Sequence, residues 1–171
     1  MKPLNQSKYQ KPDGTIDPIV TIYKSEAYPS RLHARWAVYL DVLSKGHVKR
    51  LAPPHTFEAL GITWSVKRSR LSREDMDYYA NKAEQSRLPG EVIVMAFGYP
   101  KNYPPSQTYT SCTIDDNGSR WSLGKIDALA DIGINDTLAI SLAWTAPFQT
   151  QDLTESGQLN QREEDQHGFR L

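Results

Sequence analysis

The residues best suited to chemistry lie in the middle of the chain, where Lys67, Arg68, Arg70 and Arg73 fall within one short stretch. A basic run of that density can neutralise phosphate charge. Arg31 and Arg35 form a second basic pair, and together these six are the candidate nucleic-acid contacts. The plainer reading is a solvated loop balanced by Glu74, Asp75 and Asp77. Ser65 and Lys67 sit at i and i+2, a spacing that places both on one face of a strand; alone, that is weak support for a Ser-Lys catalytic pair. His33, His47 and His55 lack the spacing of a zinc motif. The single cysteine, Cys112, excludes an intramolecular disulfide framework and a multi-cysteine zinc site. No glycine-rich phosphate loop occurs. Tyr99, Tyr103 and Tyr109, with prolines between them, offer either a protein-binding surface or an aromatic loop over the core.

The elements that must position these groups are constrained by composition. A chain of 171 residues suits one domain. Its hydrophobic fraction of 39%, with four Trp and nine Tyr, is enough for one core. No stretch approaches the ~20 apolar residues of a bilayer span, and polar Met1 to Lys11 has no signal-peptide character. A cytoplasmic setting is expected. Twenty basic and twenty acidic residues balance, which weighs against a dedicated nucleic-acid binder but allows a local basic patch.

The pattern predicts an extended arm over 1–20, one α/β domain over 21–148 and a disordered polar tail over 149–171. Within the domain, Ser30 opens a helix carrying Leu32, Trp36, Tyr39, Leu40 and Leu43 on one face, with Gly46 as its stop. Short extended segments are expected near Val48 to Leu51 and Thr56 to Leu60. Ile62 to Lys67 alternates like a half-buried strand. Ser72 and Asp75 have capping-box spacing and begin a second helix with Met76, Tyr79, Ala80 and Ala83 as its apolar stripe. Val92 to Phe97 reads as a strand covered on both faces, completing a βαβ crossover. Tyr109 to Ile114 and Arg120 to Leu123 are further strand candidates around an Asp116-Asn117-Gly118 turn. Residues 124–146 are ambiguous: Leu138, Ile140, Leu142 and Trp144 alternate, yet Asn135 or Asp136 could cap a helix. The fold class is α/β (α+β), a small mixed sheet with flanking helices.

The segment from Tyr28 to Asp41, containing Ser30-Arg31-Leu32-His33-Ala34-Arg35-Trp36-Ala37-Val38, resembles the opening helix of phage and prophage proteins of the PD-(D/E)xK nuclease family, which read SRLEARWAVFFD there. Trp64-Ser65-Val66-Lys67 is similar to their later WIEVK strand. The likeness covers about residues 22–98. It implies a restriction-endonuclease-like core in which the helix glutamate, a strand aspartate and the glutamate before the lysine hold divalent ions that activate water. Here His33 stands at the helix-glutamate position and Ser65 at the strand-glutamate position. No Pro-Asp pair lies between Val48 and Trp64, and Lys67 alone is retained. Mg²⁺ prefers oxygen ligands, carboxylates above all, so the resemblance implies a degenerate site with no catalytic residues, metal or cofactor. The expectation is a non-catalytic phage or mobile-element protein that binds a host or phage protein, or nucleic acid, in the host cytoplasm. The alternatives are an active Mg²⁺-dependent nuclease drawing on His33, Glu58 and Asp41, and a structural or adaptor protein whose likeness is accidental.

Overall fold

A computed structural model describes residues 19–52, 56–68, 71–100, 111–122, 126–134, 136–153 and 159–163. The strands are β1 (Thr21–Tyr23), β2 (Glu26–Tyr28), β3 (Lys49–Leu51), β4 (Thr56–Ala59), β5 (Ile62–Lys67), β6 (Ile93–Phe97), β7 (Ser111–Asp115), β8 (Gly118–Ser122), β9 (Gln149–Leu153) and β10 (Leu159–Glu163). The helices are α1 (Arg31–Leu43), α2 (Arg73–Ser86), α3 (Asp127–Asp131) and α4 (Thr137–Thr145). This is a small mixed α/β domain of the α+β kind, with a central sheet flanked by helices.

The central sheet has the order β3-β4-β5-β6-β7-β8. β5 and β6 run parallel, with Trp64 beside Val94 and Val66 beside Ala96; the other neighbours are antiparallel. The parallel pair needs a crossover, and α2 supplies it. Alternation along β5 and β6 then divides the core in two. Trp64, Val66, Val94 and Ala96 pack with Trp36, Tyr39 and Leu40 of α1. Ile93, Met95 and Phe97 pack with Met76 and Ala80 of α2, together with Cys112 and Ile114. The two helices therefore cover opposite faces of the sheet. On the α1 face, Trp36 and Trp64 stand 6.2 Å apart between ring centroids, and the Trp36 indole donates to the Gly98 carbonyl at 2.7 Å.

Local signals account for much of this. Ser72 and Asp75 form the expected capping box. The hydroxyl of Ser30 does not cap α1; it is engaged with His33 Nδ1 at 2.7 Å. Beyond the helix, Gly46 takes φ 88° and its N–H donates back to the Asp41 carbonyl, closing the end as glycine's tolerance of positive φ permits. The ambiguous stretch contains α3 and α4, and Asp136 occupies the N-cap position of α4. Ala139, Ile140 and Ala143 are its buried residues, at helical spacing, and it packs on α1.

A second, antiparallel sheet has the order β10-β9-β1-β2. Its β9 and β10 lie where the sequence predicts a disordered tail, and Thr150 and Gln149 pair with Thr21 and Ile22 of β1. Strand pairing satisfies backbone groups without apolar side chains, which a reading of side-chain composition does not register. The expected arm falls almost wholly on residues 1–18, outside the described residues, as do Arg70, His55, Tyr103 and Tyr109.

Candidate functional site

Ser65 and Lys67 share the α2 face of β5, because Trp64 and Val66 between and beside them face α1. The Lys67 ammonium lies 4.9 Å over the Tyr79 ring. Burial, followed by the nearby charge of Lys82, lowers its pKa below the ordinary lysine value. His33 belongs to α1, where its Nδ1 lies 2.7 Å from the Ser30 hydroxyl. Of the three positions matched to the nuclease motif, Ser65 and Lys67 lie on β5 and His33 on the helix that covers the other face.

The alternative ligands are also dispersed. Glu58 is exposed on β4 and faces Lys49 at 3.9 Å. Asp41, near the far end of α1 from His33, accepts from Tyr23 at 3.2 Å and from Lys24 at 2.6 Å. Among the described residues no group of three or more His, Cys, Asp or Glu could hold a metal ion. Cys112 is fully buried, and burial pushes its thiol up to about 11, which leaves little thiolate at neutral pH.

The basic residues divide between the two faces. Arg73 stacks on Trp121 at 4.2 Å and pairs with Asp77 at 3.2 Å on the α2 side. Arg68 is exposed at the end of β5. Arg31 and Arg35 lie on α1. The Arg31–Arg35 pair thus belongs to the helix on the other face of the sheet from Lys67 and Arg73.

Arg35 instead organises a cluster that local sequence does not reveal. Its guanidinium lies 4.4 Å from the Trp144 ring centroid, 5.5 Å from that of Phe148 and 5.9 Å from that of Tyr99. Nη1 donates to the Ala143 carbonyl at 2.8 Å. Burial, reinforced by the charge of Arg31 and opposed by Tyr99, lowers the Arg35 pKa. The Tyr99 and Trp144 rings are 5.3 Å apart, and the Trp144 indole donates to the Pro100 carbonyl at 3.0 Å. α1, the exit of β6 and α4 therefore meet in one aromatic-cationic surface, on which Trp144 keeps 43% exposure. Among the described residues, the groups gathered there offer stacking and apolar contact.

Comparison with protein-family models, curated proteins and solved structures finds no match. No helix among the described residues is long and apolar enough to cross a membrane.

Proposed function

We propose that this chain is a non-catalytic binding protein on a PD-(D/E)xK nuclease-like core, and that it engages another protein through the Arg35–Tyr99–Trp144 surface. The phage or mobile-element setting and the host cytoplasm belong to the same proposal and rest on the sequence resemblance. The element order α1-β3-β4-β5-α2-β6, with β5 and β6 parallel, supports the nuclease-like core. His33 and Ser65, neither of them a carboxylate, stand at the matched positions, and a hard divalent ion requires oxygen ligands, carboxylates above all. This supports binding over cutting.

The observation that carries the reading is Trp144, exposed at the edge of a half-buried Arg35–Tyr99 cluster. Trp, Tyr and Arg are the residue types that dominate the energy of protein interfaces. Here Arg35 and Trp144 are already held by hydrogen bonds to backbone carbonyls, so little side-chain freedom is lost on binding. Division of the basic residues between two faces favours a protein over nucleic acid. Affinity purification with the wild-type chain, compared with Trp144→Ala and Tyr99→Ala variants of unchanged fold, tests this. A partner whose recovery drops by about tenfold in the variants, equivalent to a ~1.4 kcal/mol hot spot, supports the reading. Recovery indifferent to both substitutions sinks it.

A further inference from the structure

We infer that the partner segment docking beside Trp144 is acidic, an Asp or Glu carboxylate being held at the Arg35 guanidinium while a neighbouring apolar side chain lies on the indole. The inference rests on the protein-binding reading and gives that partner a chemistry. Arg35 is met by rings and by one backbone oxygen. Trp144, Phe148 and Tyr99 surround it at 4.4, 5.5 and 5.9 Å. Nη1 donates to the Ala143 carbonyl, and Nε is buried without a hydrogen-bond partner among the described residues. No ion pair between described residues includes it. Arg31 stands one turn before it on the same face of α1, and the charge of Arg31 acts on it. α4 itself contains no charged residue. Asp136, at the other end of α4 and about 12 Å from Trp144 along the axis, accepts from the Tyr39 hydroxyl instead.

The balance of charge selects the occupant. The carbonyl end of α4, against which Arg35 sits, carries about half a unit of negative charge. That is less than the single positive charge of Arg35, before Arg31 is counted. The remaining field favours an anion, and a partly buried charge is screened less by salt than an exposed one. Trp144, with 43% exposure, supplies an apolar wall beside that charge. An acidic residue next to Phe, Trp or Leu satisfies both features at once, through a charge-assisted hydrogen bond and ring contact. Nucleic acid gains its affinity from several phosphate contacts, whereas Lys67 and Arg73 belong to the other face of the sheet. A second copy meeting this patch across a two-fold axis would set the arginines against their own counterparts.

The test is selection of short random peptides, displayed as a library, on the full chain, followed by fluorescence-anisotropy titration of the best-selected peptide. Selected sequences are expected to carry Asp or Glu beside Phe, Trp or Leu. Exchange of that acid for its amide should weaken binding about tenfold, and rising salt should weaken it further. Trp144→Ala should weaken the acid peptide about tenfold as well. Arg35→Gln should erase the preference for acid over amide, and Arg31→Gln should reduce that preference, which keeps the test open if the Arg35 variant does not fold. Selection without acidic enrichment, an amide that binds as well as the acid, or indifference to Trp144→Ala overturns the inference. So does a phosphoserine peptide that binds more than about tenfold tighter than the acid, which would assign the surface to a phosphopeptide. Sedimentation equilibrium showing a wild-type dimer that Trp144→Ala disperses would overturn it in favour of a second copy. If partner recovery still depends on Trp144 and Tyr99 while acid and amide peptides bind alike, only the acidic assignment fails.

Discussion

The Arg35 guanidinium lies 4.4 Å from the Trp144 ring centroid and donates to the carbonyl of Ala143 at 2.8 Å, so one α1 side chain holds the end of α4 in two ways. Its Nε is buried without a hydrogen-bond partner among the described residues. The stack and the charged hydrogen bond must offset that burial. Arg35→Lys keeps the charge but lacks the planar group that stacks while donating. It should destabilise the fold by about 1–2 kcal/mol. A double-mutant cycle between Arg35→Lys and Trp144→Leu, read by urea unfolding, should give a coupling of at least ~0.5 kcal/mol; strict additivity would mean the stack contributes nothing.

Divalent metal provides a second test. With no cluster of metal ligands among the described residues, Mg²⁺ or Mn²⁺ should leave the melting temperature unchanged, since a ligand that binds only the native state raises it. Single- and double-stranded DNA should stay intact in the same buffers. Cleavage that disappears on Lys67→Ala would overturn the proposal of a non-catalytic binding protein.

The fold was legible wherever one local rule decided the outcome. In β5, alternation of Ile62, Trp64 and Val66 against Thr63, Ser65 and Lys67 marks a half-buried strand, and the first three are buried while the others stay partly exposed. In α2, Ser72 and Asp75 announce the start. α4 was ambiguous because its exposed Leu138 and Leu142 complete an apparent i, i+2 alternation with Ile140 and Trp144, while its burial follows Ala139, Ile140 and Ala143. The Arg35 cluster was not legible at all: positions 35, 99 and 144 meet only after α1 and α4 have packed beside the exit of β6. Arg35 on its own resembles any helix-flank arginine.

Backbone strain in the β1–β2 hairpin gives a stability prediction. Lys24 and Ser25 occupy its two turn positions with φ of 49° and 64°, the left-handed geometry that two-residue hairpins reserve for Asn and Gly. Lys24 is tied to Asp41 at 2.6 Å, which helps hold the turn in place. Ser25→Gly should stabilise the protein by about 0.5–1 kcal/mol. Gly61, at φ 72° in the β4–β5 turn, has open space where a Cβ would sit. Gly61→Ala should therefore cost about 1 kcal/mol through backbone strain alone. Thermal melts of the two variants should move in opposite directions; a shared direction would show that turn geometry does not control these hairpins.

Alkaline pH should reveal the burial of Cys112. Its thiol keeps its proton in the fold up to about 11, against an ordinary value of 9.0, because the ionised form would be buried between β7 and α2. Between those values the unfolded chain binds fewer protons than the native one, so stability falls as pH rises. The buried hydroxyls of Tyr39 and Tyr28 are raised as well, first by burial and then by Asp136 and Glu26 respectively, and add to the same decline. Lys67, lowered by burial, acts in the opposite sense. Cys112→Ala isolates the thiol: the stability advantage of wild type over the variant should be constant below pH 8 and shrink by on the order of 1–2 kcal/mol by pH 11. A thiol reagent at pH 8 should leave native Cys112 unmodified and label it only on unfolding. Rapid labelling of the folded chain would contradict the burial that underlies both expectations.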